Sequence, residues 1–135
     1  MRTLLILPIA VLLMATANAG PRDDLVAEFA TQAKSADPGF AGFSAARGKT
    51  FSLKDFAQGK PDTPACTTCH TASPAKEGRT RAGKPIQPMA VSRTPNRYTD
   101  RKKVAKWFRR NCRSVLGRLC TAREKGDYLT FMIGQ

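Results

Sequence analysis

The stretch CTTCH, residues 66–70, decides how this chain is read. It sets two thiols, Cys66 and Cys69, two residues apart, and follows them at once with His70, the only histidine of the 135 residues. Cys-x-x-Cys-His is the attachment pattern of a c-type haem. The spacing has a chemical reason: thiols two residues apart reach the two vinyl groups, and the adjacent imidazole reaches the iron from one face. Two other uses of a close cysteine pair predict different surroundings. A thioredoxin-like pair follows a strand in a βαβ unit, whereas here KPDTPA precedes Cys66 and offers no apolar strand. A structural zinc site takes about four Cys, His or carboxylate ligands; recruiting all four cysteines leaves the placement of His70 unexplained.

The compartment supports the haem reading. Residues 1–19, MRTLLILPIAVLLMATANA, carry Arg2, then an apolar core from Leu4 to Met14, then Ala17 and Ala19 around Asn18. This is the layout of a secretory signal peptide cut after Ala19, and its core is too short for a durable span, which needs roughly 20 residues. The mature domain is therefore expected to be residues 20–135, periplasmic and without stable membrane insertion. A chain of that size has a limited core and benefits from a covalent or cofactor staple. In an oxidising compartment disulfides persist. Cys112 and Cys120, with no histidine beside them, read as a structural disulfide.

Charge points to a kind of partner. The chain has 23 Lys and Arg against 10 Asp and Glu, a formal +13. Such a balance attracts acidic surfaces and says nothing about fold. Nucleic acid would be one acidic partner, but the export signal and the scatter of the charge over several segments argue against it. Lys76, Arg79, Arg81 and Lys84 are candidates for haem propionates or for steering an acidic redox partner, and serve equally as a solvated face.

Periodicity gives an all-α scaffold of three to four helices and long loops around one covalent haem. Asp23 or Asp24 caps a first helix carrying Leu25, Val26, Phe29, Ala30 and Ala33 and ending near Asp37-Pro38. Residues 38–64 read mostly as loop, with a short turn of helix or strand near Phe51. Residues 71–98, broken by Pro74, Gly78, Gly83, Pro85, Pro88 and Pro95, read as a loop long enough to need a function. Thr99 or Asp100 caps the next helix, with Val104, Trp107 and Phe108 as its apolar stripe. Gly117 ends it, and Thr121 with Glu124 forms a capping box opening a last helix that turns Tyr128, Leu129 and Met132 inward, with Phe131 as a further candidate.

One histidine excludes bis-histidine coordination. Of the methionines beyond the signal, Met89, 19 residues after His70, sits in a proline-rich loop able to reach the iron, and Met132, near a helix end, reads better as apolar packing; neither has a decisive claim as second ligand from sequence. The segment from Pro88 to Gly126, and KVAKWFRRNC within it above all, resembles the small oxygen-binding cytochromes c of the SHP type, together with CTTCH and over nearly all of the mature chain. The resemblance implies a class I cytochrome c fold. It also implies iron held by His70 and by Asn111, the asparagine just before the first disulfide cysteine, with Cys112 joined to Cys120. An amide oxygen is a harder donor than methionine sulfur and suits ferric better than ferrous iron. The implied function is electron transfer through haem c, with dioxygen or another diatomic ligand bound once reduction releases Asn111. Asn96, in a turn, is the weaker competitor for that role. Related proteins partner multihaem and membrane cytochromes, which implies redox-partner cytochromes with acidic docking surfaces here. An ordinary histidine/methionine carrier is the alternative. A haem enzyme, such as a peroxidase or nitric oxide dioxygenase, is less favoured because the chain offers no distal histidine and no evident acid–base pair.

Overall fold

A computed structural model describes residues 20–135, so the signal peptide read at 1–19 lies outside the described residues. Five helices and one minimal strand pair follow in order: α1 (Pro21–Ala36), α2 (Ala45–Leu53), α3 (Thr67–His70), β1 (Gly78–Arg79), β2 (Pro85–Ile86), α4 (Arg101–Leu116) and α5 (Ala122–Ile133).

The helix ends follow local chemistry. Pro21 occupies the first position of α1, where its missing N–H costs nothing, and the Asp23 carboxylate accepts from the Gly20 amide at 2.9 Å. The helix thus begins ahead of the Asp23 and Asp24 caps read from the sequence, because Asp23 acts from within the first turn. Asp100 caps α4, accepting from the Lys103 amide at 2.9 Å. Gly117 closes that helix at φ 71°, a left-handed conformation that favours glycine. Thr121 and Glu124 exchange their bonds as a capping box, at 3.1 and 2.8 Å. Burial pushes the Glu124 carboxyl up, but the bonds from Arg118 and from the Thr121 amide outweigh it and hold the group below its usual range.

Two departures from the sequence reading have physical causes. The 38–64 segment contains a nine-residue helix, α2, started by Ser44, whose hydroxyl accepts from the Arg47 amide at 3.3 Å. Packing against α5 stabilises it, since its intrinsic pattern is weak. The second departure is Trp107, which is 44% exposed and not part of the α4 core stripe. The buried face of α4 runs through Val104, Cys112, Val115 and Leu116, and Trp107 projects beside it, flanked by Lys106 and Arg110. In the 71–98 segment the loop reading holds apart from the β1–β2 pair, which joins Gly78 to Ile86 and Arg79 to Pro85.

The main core joins Leu25 and Phe29 of α1 to Val104 of α4 and to Tyr128, Leu129, Phe131 and Met132 of α5, with Met89 and Tyr98 entering from the long loop. Phe108 sits edge-on to Phe29 at 6.0 Å and to Tyr128 at 5.8 Å. A second cluster gathers Cys112, Val115, Leu116 and Cys120, and Phe51, Phe56, Phe108 and Cys66 pack against it. The Cys112–Cys120 disulfide is formed, with Cα atoms 5.6 Å apart.

The buried carboxylate of Asp127 fastens α2 to α5. It accepts from the Ser44 amide at 2.7 Å and from the Arg47 guanidinium at 2.7 and 2.8 Å. The Arg47 group in turn titrates above its ordinary value because it donates to Asp127. Replacing Asp127 by Ala removes three acceptor contacts and leaves the Ser44 amide unpaired; a destabilisation of about 2–3 kcal/mol is expected by denaturant unfolding. Arg123→Ala, which breaks an exposed pair with Asp37, should cost under about 1 kcal/mol.

Candidate haem site

α3 is a single turn that puts the motif residues in their places. Cys66 stands at its N-cap, the His70 amide donates to the Cys66 carbonyl at 3.1 Å, and Thr71 at φ 61° turns the chain away. β1 supports this turn closely: a Cβ on Gly78 would lie 2.1 Å from the Cys69 carbonyl oxygen, so a side chain there collides with the motif backbone.

Cys66 and Cys69 are both free thiols and half-buried. Burial pushes the Cys66 thiol up to about 11. Burial also pulls His70 down to about 4, helped by the nearby charge of Arg97, so the imidazole is neutral at physiological pH, the form that ligates metals. Its Nδ1 is buried and has no hydrogen-bond partner among the described residues. Two free thiols beside a neutral, under-satisfied imidazole fit the donor set of a haem c.

His70 lines a tight cleft with Cys66, Met89, Tyr128 and Met132. The cavity measures about 10 Å³, at the lower limit of room for a single water. The wall bearing Met89 is firmly braced. Tyr98 donates its hydroxyl to the Met89 carbonyl at 3.0 Å, Arg97 Nε donates to the Pro88 carbonyl at 3.0 Å, and the Ala90 amide donates to the Pro74 carbonyl at 2.9 Å. Tyr98 holds φ at 63°, left-handed for a bulky residue, which marks a conformation imposed by its surroundings. Burial raises the hydroxyl pKa of Tyr98 and of Tyr128.

The sequence-derived site residues divide. Cys66, Cys69 and His70 share α3, and Cys66 packs against the cluster containing Cys112 and Cys120, so the motif and the disulfide are neighbours. Asn111 precedes that disulfide on α4, but it is exposed and does not line the His70 cleft, whereas Met89 does. Asn96 is also exposed. The bracing roles of Tyr98 and Arg97 were missed. Only the sequence RTPNRY near Met89 signals them, and a loop arginine or tyrosine has no periodicity to announce it.

Residues 38–132 match the family described as a domain of unknown function, DUF1924. The chain is 52% identical over 91 residues, 67% of its length and 70% of the relative's, to the cytochrome c-type protein SHP of Cereibacter sphaeroides. It is 32% identical over 120 residues, 88% of its length and 83% of the relative's, to cytochrome c'' of Methylophilus methylotrophus. Among solved structures, oxidised SHP, described as an oxygen-binding cytochrome c, superposes with a TM-score of 0.78 at 44% identity, covering 88% of this chain and all of that one. Oxidised cytochrome c'' superposes at 0.73 and 32% identity, over 84% of this chain and 93% of the other. The sole histidine behind two thiols, the disulfide beside them and these likenesses lead to one conclusion: the chain belongs to the SHP-type family of cytochromes c, with the class I cytochrome c fold.

Proposed function

We propose that this chain is a periplasmic electron carrier that holds one haem c by thioethers to Cys66 and Cys69, ligates its iron through His70 and Asn111, and in the reduced state takes up dioxygen or another small diatomic ligand. The observation that carries the reading is the buried, neutral and under-satisfied imidazole of His70, set behind two free thiols, in a chain 52% identical to SHP. A haem held there supplies a one-electron iron couple and an exchangeable axial position.

The residues of the chain divide the remaining work. The Met89 wall and Tyr128 keep water from His70, which favours the neutral ligating form. Asn111 offers an amide oxygen, a donor that holds ferric iron better than ferrous. Release on reduction follows from that preference, and the disulfide limits how far the turn of Asn111 swings. The relation to SHP supports dioxygen, and cytochrome c'', whose solution structure is described in terms of haem-ligand detachment, supports a labile axial bond. The export signal read at residues 1–19 and the relation to these cytochromes support the periplasm. No helix among the described residues is long and apolar enough to cross a membrane.

Histidine/methionine coordination is the second reading, favoured by the presence of Met89 in the His70 cleft. Against it stands the resemblance to the SHP-type cytochromes c around KVAKWFRRNC, which implies Asn111 as the second ligand.

Three measurements check this proposal. On a denaturing gel stained for haem peroxidase activity, the mature wild type should stain, and the Cys66→Ala/Cys69→Ala variant should not; colour extractable by acid acetone from the wild type would refute covalent attachment. Asn111→Ala should lose the ferric low-spin signature in absorption and magnetic spectra, with carbon monoxide bound readily by the ferrous wild type. An unchanged Asn111→Ala beside a disrupted Met89→Ala would establish the histidine/methionine carrier instead. Cys112→Ser/Cys120→Ser should cost about 2–4 kcal/mol in unfolding free energy and broaden the ferric low-spin signal, since Asn111 then rides on a looser turn.

A further inference from the structure

The charge of α4 is unlike that of the rest of the molecule. Its sixteen residues include no Asp or Glu. Five arginines are matched with carboxylates, Arg47 with Asp127, Arg81 with Asp62, Arg118 with Glu124, Arg123 with Asp37, and Arg101, at the start of α4, with Glu28, while Arg22, Arg79 and Arg97 donate to backbone carbonyls. The six remaining cations of α4, Lys102, Lys103, Lys106, Arg109, Arg110 and Arg113, are exposed and form no ion pair among the described residues.

Geometry gathers them. At 3.6 residues per turn the six fall within an arc of about 120°, opposite the buried face of Val104, Cys112 and Val115. Trp107 stands at the margin of this arc, 44% exposed, with Lys106 Nζ 5.8 Å and the Arg110 guanidinium carbon 5.2 Å from its ring centroid. Asn111 lies one turn further along and about 40° farther round from the arc than Trp107. The cations of the β1–β2 hairpin make a poorer surface, because Arg81 is taken by Asp62 and Arg79 donates to the Gly83 carbonyl.

We infer that the exposed face of α4 is the docking surface for a redox protein with an acidic face, with the cationic arc steering the encounter and Trp107 as the apolar anchor beside Asn111. The inference rests on the reading of the chain as an exported electron carrier and names the surface that the reading leaves open. Unpaired like charges on one face raise the association rate of an oppositely charged partner and fix its orientation. An aromatic set among arginines and lysines at the edge of such a field has the composition of an interface hot spot. A membrane surface fits less well: interfacial helices insert an apolar face, and the apolar face of α4 is spent on the core, leaving Trp107 alone outside. Nucleic acid fits less well because an exported chain has little of it to meet.

The test uses the ferric holoprotein and fluorescein-labelled poly-L-glutamate as the acidic polypeptide, read by anisotropy at low salt, with amide chemical-shift mapping of the complex. Shifts should cluster on residues 102–113. Lys102→Glu/Lys106→Glu/Arg113→Glu should weaken binding by about tenfold or more. Lys34→Glu/Lys49→Glu/Lys84→Glu, an equal change in net charge on exposed residues elsewhere, should weaken it by less than about threefold. Trp107→Ala should weaken it by about fivefold with the salt dependence unchanged. Equal losses in the two triple variants would overturn the inference, because net charge alone would then explain binding. Tighter binding to a 20-base-pair DNA duplex, or to vesicles containing phosphatidylserine, would overturn the assignment to a protein partner. Absorption spectra of the charge variants report the haem site separately: loss of docking with unchanged spectra sinks the surface and leaves the proposed ligation intact, while failure of the Asn111→Ala prediction leaves the surface intact.

Discussion

The exclusion of water from His70 is the constraint on which the rest depends. An imidazole in solution is satisfied at both nitrogens and titrates near neutrality, whereas this one is held neutral down to about 4 and has an Nδ1 without a partner. A buried polar atom of that kind costs free energy. The fold sustains the cost through elements distant in sequence: the loop wall of Met89 braced by Tyr98 and Arg97, Tyr128 and Met132 from α5, and Ser52 from α2. α2 in turn is held by Asp127, so a carboxylate outside the cleft contributes to positioning its walls.

The same dependence explains what could be read from the sequence. Motif and caps are local, and they were legible: CTTCH, Asp100, the Thr121–Glu124 box and Gly117 each act within a few residues of themselves. The inward set of α5 was legible too, since Tyr128, Leu129 and Met132 recur at helical spacing and all are buried. α2 was not, because its helix leans on Asp127, more than seventy residues away in sequence, and its own segment is rich in glycine and aromatics. Trp107 was misjudged for a related reason. Apolar spacing placed it in a stripe with Val104 and Phe108, but the core of α4 follows Val104 to Cys112 and Val115, and the cations on either side of Trp107 keep it at the surface.

The proposed second axial ligand, Asn111, shows where local reading stops. Asn111 carries no pattern of its own, and only the resemblance around KVAKWFRRNC singled it out. Its neighbours supply physical context: Cys112 beside it is joined to Cys120, and that cluster packs against Cys66 of the haem motif. Met89 was the candidate methionine by sequence, in a loop able to reach the iron, and the fold places it against His70.

The position of α5 has a consequence in time. It is the last helix of the chain, and it packs on both α1 and α2 while lending Tyr128 and Met132 to the His70 cleft. A chain synthesised from its N-terminus therefore presents the thiols of α3 before the helix that encloses them. Once the chain has closed around it Cys66 is half-buried, and burial raises the thiol, so a sulfur still unattached at that stage is a poor nucleophile. Before α5 has packed, part of the burial that raises this thiol is missing, because Tyr128 and Met132 share the cleft with Cys66. The topology thus separates two stages, an open one suited to covalent chemistry at the cysteines and a closed one suited to keeping water from the histidine, and the order of the helices along the chain decides which comes first.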